Sequence, residues 1–342
     1  MPNLDGPMAI AVLGLGAVLL ALLVAAGTAS LRGALLRRDL LDHPNARSSH
    51  LQPTPRGAGL ALIPLALLAW LAAVLLLDSP PPGFWGILPA AILLVAVSWV
   101  DDTRNLPAAP RFLAQLAAVL LGLGAMTGSG PLFQGLLPLW LDLTLSGFAW
   151  LWFINLFNFM DGIDGLSAVE STAIAAGLGL LAWLGAWSQI DLALPVLLAA
   201  AVLGFLKFNW HPAKIFLGDV GSVPLGFLIG WLLLLAAGQG AWAAALILPA
   251  YYWADASLTL CRRALRGEKL WQAHREHFYQ RATQSGLTHD QVAKRIALLN
   301  LALLGLAVLS YLWDPRVPLA GAAILVTGLL LNFSLQDRPE ED

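Results

Sequence analysis

The sequence predicts an all-α polytopic membrane protein, and three observations carry that prediction. Hydrophobic residues make up 58% of the chain and charged residues only 12%, with a mean hydropathy of +0.74; a soluble domain carries about 25% charged residues. The apolar residues gather into eleven runs. Every Lys and Arg except Arg316 falls in the connections that an outside N-terminus would leave on the inner side of a membrane, which is the bias that sets orientation.

The runs lie at roughly 8–30, 57–77, 84–100, 112–127, 146–160, 168–187, 193–208, 223–238, 241–260, 296–313 and 318–333. Several hold only about 16 residues, or about 24 Å of helix, so their ends must lean on neighbours or on a polar cavity. Met1–Pro7 carries Asp5 and no basic residue, while Arg32, Arg37 and Arg38 follow the first run. This predicts an outside N-terminus and a first helix that is kept, since a cleaved signal wants its basic residues first. An odd number of spans then puts the C-terminus in the cytoplasm. The outer connections are short or Pro-rich, as in Asp78-Ser-Pro-Pro-Pro-Gly and Asp314-Pro-Arg-Val-Pro. The segment 128–145 is longer, and the alternation Leu139-Trp-Leu-Asp-Leu-Thr-Leu predicts a small periplasmic hairpin near 130–145. Thr288-His-Asp-Gln291 is a capping-box pattern opening a helix that runs into the tenth span. No repeat or separate soluble domain is visible, so residues 1–342 form a single membrane domain. A net charge of −2 gives no sign of a nucleic-acid partner, and the single Cys261 excludes an internal disulfide and a Cys-based metal cage.

Four polar clusters fall on the cytoplasmic side of this topology, near 101–111, 155–167, 209–222 and 261–295. Asp101-Asp102 closes the third span, with Arg104 and Arg111 following; adjacent carboxylates repel unless a cation or strong donor neutralises them, so the pair reads either as a site for Mg²⁺ or a phosphate-bound metal or as a solvated helix end. In Asn155-Leu-Phe-Asn158-Phe-Met-Asp161-Gly-Ile-Asp164-Gly-Leu, steps of three place successive polar residues about 60° apart on one broad helix face. Acids at bilayer depth are costly, so this face should line water or a ligand. In Lys214-Ile-Phe-Leu-Gly218-Asp219-Val-Gly221-Ser222, glycines around one acid suit a residue that must approach a metal closely; His211, before Pro212, reads as a turn residue. His274-Arg275-Glu276-His277 joins two imidazoles to a guanidinium, which suits anionic oxygens such as a diphosphate. A fifth stretch, Asp42 to Gly59, places Arg56 beside glycines; approach to phosphate and a plain basic topogenic loop both remain open for it.

Taken in order, these motifs resemble the polyprenyl-phosphate N-acetylhexosamine-1-phosphate transferase superfamily, glycosyltransferase family 4. Arg-Ser-Ser-His-x-x-Pro-Thr-Pro-Arg-Gly and Ala-His-Arg-Glu-His-Phe-Tyr-Gln-Arg are most similar to its O-antigen-initiating members. The likeness covers spans two to nine and the loop after them. Three positions depart from the usual pattern: Asn105 replaces a third acid after the Asp pair, the loop holds two His and not three, and Ala58 interrupts a glycine triplet. The resemblance implies transfer of an N-acetylated hexosamine 1-phosphate, or a 6-deoxy derivative, from a UDP-sugar to undecaprenyl phosphate with release of UMP. It implies a site on the cytoplasmic face of the bacterial inner membrane and Mg²⁺ as cofactor, replaceable by Mn²⁺. Asp219 and Asn158 would hold the metal, and Asp101 and Asp102 would position or deprotonate the acceptor phosphate. Arg111, Lys214, His274, Arg275 and His277 would hold the diphosphate, with Arg56 as a further phosphate contact. Asn155, Asp161 and Asp164 would orient nucleotide and sugar. The partners are the donor, the acceptor and the bilayer, with a homodimer left open. Two other classes stand beside this one. Leu-Gly-Asp219 weakly resembles the Gly-x-Gly-Asp site of an intramembrane aspartyl protease, and a lipid-linked-substrate transporter would use broken helices near the midplane.

Overall fold

The computed structural model describes residues 6–44, 49, 52–126, 132–185, 187–269, 272 and 274–335. Seven long helices come first: α1 (Gly6–Arg37), α2 (Gly59–Leu77), α3 (Phe84–Arg104), α4 (Ala108–Ala125), α5 (Leu139–Phe159), α6 (Leu166–Leu184) and α7 (Gln189–Asn209). They are followed by α8 (Asp219–Ala236), the short α9 (Trp242–Ile247), α10 (Ala250–Leu265), the short α11 (Phe278–Gln284), α12 (His289–Leu312) and α13 (Arg316–Leu335). Among the described residues ten helical stretches are long and apolar enough to cross a membrane. The chain is an all-α polytopic membrane protein.

The ninth expected span, 241–260, is not one helix. Gly240 turns the chain with φ 88° after α8, and the run that follows breaks between α9 and α10 at Leu248-Pro249. Pro249 has no N–H to continue α9, and a positive φ is cheap only for glycine. The second piece, α10, carries Asp255, Arg262 and Arg263, so it falls short of a conventional apolar span.

The expected hairpin near 130–145 is also absent where the residues are described. Residues 139–145 form the first two turns of α5, and 127–131 lie outside the described residues. Alternation misled because Asp142 turns back and is buried: its Oδ1 and Oδ2 accept hydrogen bonds from Leu132 N (3.1 Å) and Phe133 N (2.8 Å). A helix-borne carboxylate satisfies the loop that a hairpin would have paired. The strands among the described residues are two-residue pieces, β1 (Leu41–Asp42) and β2 (Thr54–Pro55), paired antiparallel with Leu41 opposite Pro55.

α8 is the central helix. Of the ten spans it is the most buried, at 83% of its best window, and it packs against α2, α3, α5 and α6. Trp150 of α5 stacks on Phe227 at 4.7 Å and donates its indole N–H to the Phe227 carbonyl at 2.9 Å, so a large aromatic is buried with its one donor satisfied. α7 packs against both α1 and α6, and α12 joins α6. Exposed Leu15, Leu76, Trp85, Leu120 and Ile324 form part of an apolar outer belt. At one end of the bundle, the last turns of α3, α5 and α7 meet the first turns of α4, α6, α8 and α12. That end carries all four polar clusters.

Candidate active site

The site is built on the N-terminus of α8. A helix start leaves backbone N–H groups unpaired inside the helix, and here another helix supplies the acceptor. Asp102, in the last turn of α3, accepts from Asp219 N (3.1 Å) and Val220 N (2.9 Å). The approach needs glycine: Gly218 has φ 76°, and a Cβ there would lie 2.7 Å from Asp102 Oδ2. Asp219, thus fixed, has a side chain that reaches two arginines. Its Oδ1 pairs with Arg56 Nη2, which also contacts Asp102 Oδ1 at 3.0 Å. Its Oδ2 lies 3.8 Å from Arg111 Nη1, which contacts Asp101 Oδ2 at 3.0 Å. Asp101 Oδ1 accepts from Leu106 N at 2.7 Å. Three carboxylates and two guanidiniums therefore interlock.

Arg56 reaches this point because β2 holds its loop against β1 and because Arg56 bridges Phe216 in parallel register. Although burial opposes its charge, Asp219, Asp102, Asp42 and Asp161 raise its pKa above the ordinary guanidinium value. The loop whose role the sequence left open is thus a wall of the site.

Two cavities flank Asp219. The first, about 370 Å³, is lined by Arg56, Asp161, Asp164, Asn209, His274, His277 and His289 among others. The second, about 310 Å³, holds Leu94, Val97, Phe112 and Val223 alongside Asp101, Gln115 and Asn155. Arg111, Asn158, Phe159 and Asp219 line both. Asn158 Oδ1 accepts from Ser222 Oγ at 2.6 Å, and Asn155 Nδ2 donates to Gln115 Oε1 at 2.8 Å. α5 ends at Phe159, so Asn155 and Asn158 lie on the helix while Asp161 leaves it for the following loop. There burial lifts the Asp161 carboxyl to about 7, with Arg56 opposing and Asp219 and Asp102 adding to the push.

Asp164 is held differently. Burial works against its charge, but hydrogen bonds with His289 and His211 and one from Ala213 N outweigh it and lower its pKa. His211 Nδ1 lies 2.6 Å and His289 Nδ1 3.3 Å from Asp164 Oδ2. Among the described residues, a group of this kind with ligand atoms within 4.8 Å of one another is Asp164, His211 and His289. It ties the loops before α6 and α8 to the start of α12. The expected capping box at Thr288–Gln291 is present there.

The other wall is the turn before α11. Asp255, buried in α10, accepts from Phe278 N (3.0 Å), Tyr279 N (3.1 Å) and Tyr251 Oη (2.9 Å), and lies 3.1 Å from His277 Nδ1. The carboxylate so near holds the proton on His277 Nδ1. Glu276 N donates to His274 Nδ1 at 3.4 Å, which leaves the His274 proton on Nε2. Burial, helped by His277, pushes the His274 pKa down to about 4, so the ring is neutral near pH 7. Both Nε2 atoms are buried with no partner among the described residues, and both rings line the first cavity. Buried polar atoms of this kind call for a ligand.

Thirteen residues were expected to act here, and the structure brings eleven of them to the two cavities or their walls. Lys214 is exposed and lines neither; its carbonyl accepts from Arg32 Nε at 3.0 Å. Arg275 lines a separate cavity with Arg262, Arg266 and Arg281. Asp102 has both oxygens engaged by the α8 backbone, so its place is that of a cap and counter-charge. Asp255, Gln115, His211 and His289 were not singled out as site residues. A lone acid in the apolar run 241–260 was the available signal for Asp255, because such a charge is costly without partners.

This constellation sits on a multi-pass helical frame, and comparison with known proteins gives the class to which that frame belongs. Residues 84–237 match the model of glycosyl transferase family 4. The chain is 30% identical over 318 residues to the decaprenyl-phosphate N-acetylglucosaminephosphotransferase of Mycolicibacterium smegmatis, covering 79% of this chain and 75% of the relative. It is 28% identical over 277 residues to a probable undecaprenyl-phosphate N-acetylglucosaminyl 1-phosphate transferase of Bacillus subtilis, covering 78% and 74%. A phospho-N-acetylmuramoyl-pentapeptide-transferase of Synechococcus elongatus is 32% identical over 211 residues, covering 55% of this chain and 56% of that one. The chain belongs to the polyprenyl-phosphate N-acetylhexosamine-1-phosphate transferase superfamily.

Proposed function

We propose that the protein transfers an N-acetylhexosamine 1-phosphate, or its 6-deoxy derivative, from a UDP-sugar to undecaprenyl phosphate at the cytoplasmic face of a bacterial inner membrane, starting an O-antigen or related envelope glycan. One observation carries the reading: a polar cavity and a largely apolar one share a wall made of Asp219, Asn158 and Arg111. The polar cavity suits a nucleotide diphosphate, with His274 Nε2–H donating to its oxygens. The apolar one suits the first isoprene units of the acceptor, with Arg111 and Asp101 at its phosphate. An acceptor phosphate oxygen attacks the sugar-bearing phosphorus. The bond from that phosphorus to the bridging oxygen breaks, and UMP leaves with the electron pair. Little covalent chemistry falls to the protein, so its work is positioning and neutralisation.

The residues fit Mg²⁺: Asp219 offers a hard oxygen donor beside Asn158, while Asp101 is paired with Arg111 and Asp102 is committed to α8. When bound, the metal would neutralise charge building on the diphosphate oxygens. An aspartyl protease needs two carboxylates sharing one proton. The carboxyls of Asp101 and Asp219 do interact, but each also has a guanidinium partner, Arg111 and Arg56, and the family match is to transferases, which together count against a protease.

The test is UMP release from a panel of UDP-sugars with undecaprenyl phosphate in detergent, titrating Mg²⁺. Asp219→Asn should lower the rate roughly a thousandfold, about 4 kcal/mol, with partial recovery at high Mg²⁺. Asp101→Asn should fall without recovery. Near wild-type turnover of Asp219→Asn at limiting Mg²⁺ would overturn the metal assignment.

A further inference from the structure

The cavity that holds Arg275 is separate from both substrate cavities. It measures about 380 Å³ and is lined by Thr259, Arg262, Arg266, Arg275, Glu276, Arg281 and Gln284. Four guanidiniums face one carboxylate in that lining. Glu268 and Glu276 are also bridged to Arg263 and Arg266. Arg262 stacks on the Phe278 ring at 4.8 Å. Arg275 Nε is buried without a partner among the described residues.

The helix that carries the cluster shows what lies beside it. Leu258, Cys261, Arg262 and Leu265 follow one another at helical spacing on one face of α10. Leu258 is 45% exposed, Leu265 is 89% exposed and Cys261 is exposed too. Leucines left exposed at the end of a helix in a membrane protein suit the edge of the hydrocarbon, and the arginines beside them, Arg262 and Arg266, can reach the headgroup layer. Guanidinium forks match phosphate oxygens bidentately, and acidic lipids gather at basic juxtamembrane clusters.

We propose that this cavity binds the phosphate of an acidic phospholipid headgroup, seating the end of α10 at the membrane surface. The turn 274–277 would then serve two ligands. Arg275 and Glu276 line the lipid cavity, while His274 and His277 line the substrate cavity. The site does not depend on the proposed reaction, because it uses none of the residues that line the two substrate cavities.

The experiment uses the full chain in neutral detergent, adding phosphatidylglycerol, phosphatidylcholine or inorganic phosphate. Melting temperature and lipid retained in native mass spectrometry are the readouts. Phosphatidylglycerol should raise the melting temperature and be retained at near one-to-one. Phosphatidylcholine should do neither, and salt should reverse the effect. Arg262→Gln with Arg281→Gln should weaken retention at least tenfold, while Arg316→Gln, at the far end of the bundle, should leave it unchanged. If the double variant is unstable, Arg262→Gln alone should still weaken retention several-fold. Equal retention of both lipids, or full retention by the variants, would overturn the proposal and leave the arginines as counter-charges to the C-terminus of α10. An equal shift with inorganic phosphate alone would overturn the lipid source in favour of a soluble anion.

Discussion

Asp161 and His274 face one cavity and answer pH in opposite senses. The Asp161 carboxyl titrates near 7, well above an unfolded aspartate. Between about pH 4 and 7 the unfolded chain has lost a proton that the fold keeps, so stability falls as pH rises through that window. The His274 ring titrates near 4, below an unfolded histidine. Between about pH 6.5 and 4 the unfolded chain gains a proton that the fold refuses, so its contribution is lost as pH falls. Asp161→Asn should therefore remove the alkaline-side decline in melting temperature, read in detergent from pH 4 to 8. A decline identical to wild type would mean that Asp161 is not the group responsible. His274→Ala removes a neutral donor aimed at anionic oxygens, a contact worth roughly 1.5–3 kcal/mol, and should lower kcat/KM about 10- to 100-fold. Unchanged kinetics would place the ring outside the donor site. At this scale the sequence was informative where residues form compact motifs. Asp219, Asn158 and the two loop histidines were legible; Asp164's dependence on His211 and His289 was not, since 47 and 125 residues separate the partners.

Two elements owe their position to a carboxylate carried by another. Asp102 caps α8 from α3, and a lost helix cap costs about 0.5–2 kcal/mol. Asp102→Ala should lower the melting temperature as well as activity, and added Mg²⁺ should restore neither. Loss of activity at an unchanged melting temperature would make Asp102 chemical and not architectural. Asp255 performs the same service for α11 and adds a fixed ring, His277. Asp255→Ala would strand four buried donors and an imidazole, at about 1–3 kcal/mol for each buried group left unpaired. Hydrogen exchange should then speed up at 277–284 before it changes in α8; equal protection there would show that α11 holds itself. Local pattern revealed the helices because apolar runs report burial in lipid directly. It gave a hairpin near 130–145 and an unbroken span at 241–260, because the return of Asp142 to its loop has no period to read and the apolar run hides the break at Leu248-Pro249.

For the whole molecule, the positive-inside distribution placed four clusters on one side before any contact was known, and all four meet at one end of the bundle. Which compartment that end faces is open to direct measurement. In a Cys261→Ser background, Lys214→Cys should react with an impermeant maleimide only in inside-out vesicles, and Asp314→Cys only in intact spheroplasts; the reverse pattern would invert the topology. The two cavities that meet at Asp219 carry a further consequence for the proposed reaction. In that reaction the shared wall would lie on a phase boundary, so the two products would part as soon as they form. The nucleoside monophosphate dissolves into water and the lipid-linked sugar diffuses within the plane of the bilayer. The bond made is close in energy to the bond broken, a diphosphate for a diphosphate, so the chemistry itself supplies little direction. Separation of the products into two media, one of three dimensions and one of two, makes their re-encounter at this wall rare and lets downstream consumption in either medium draw the exchange forward.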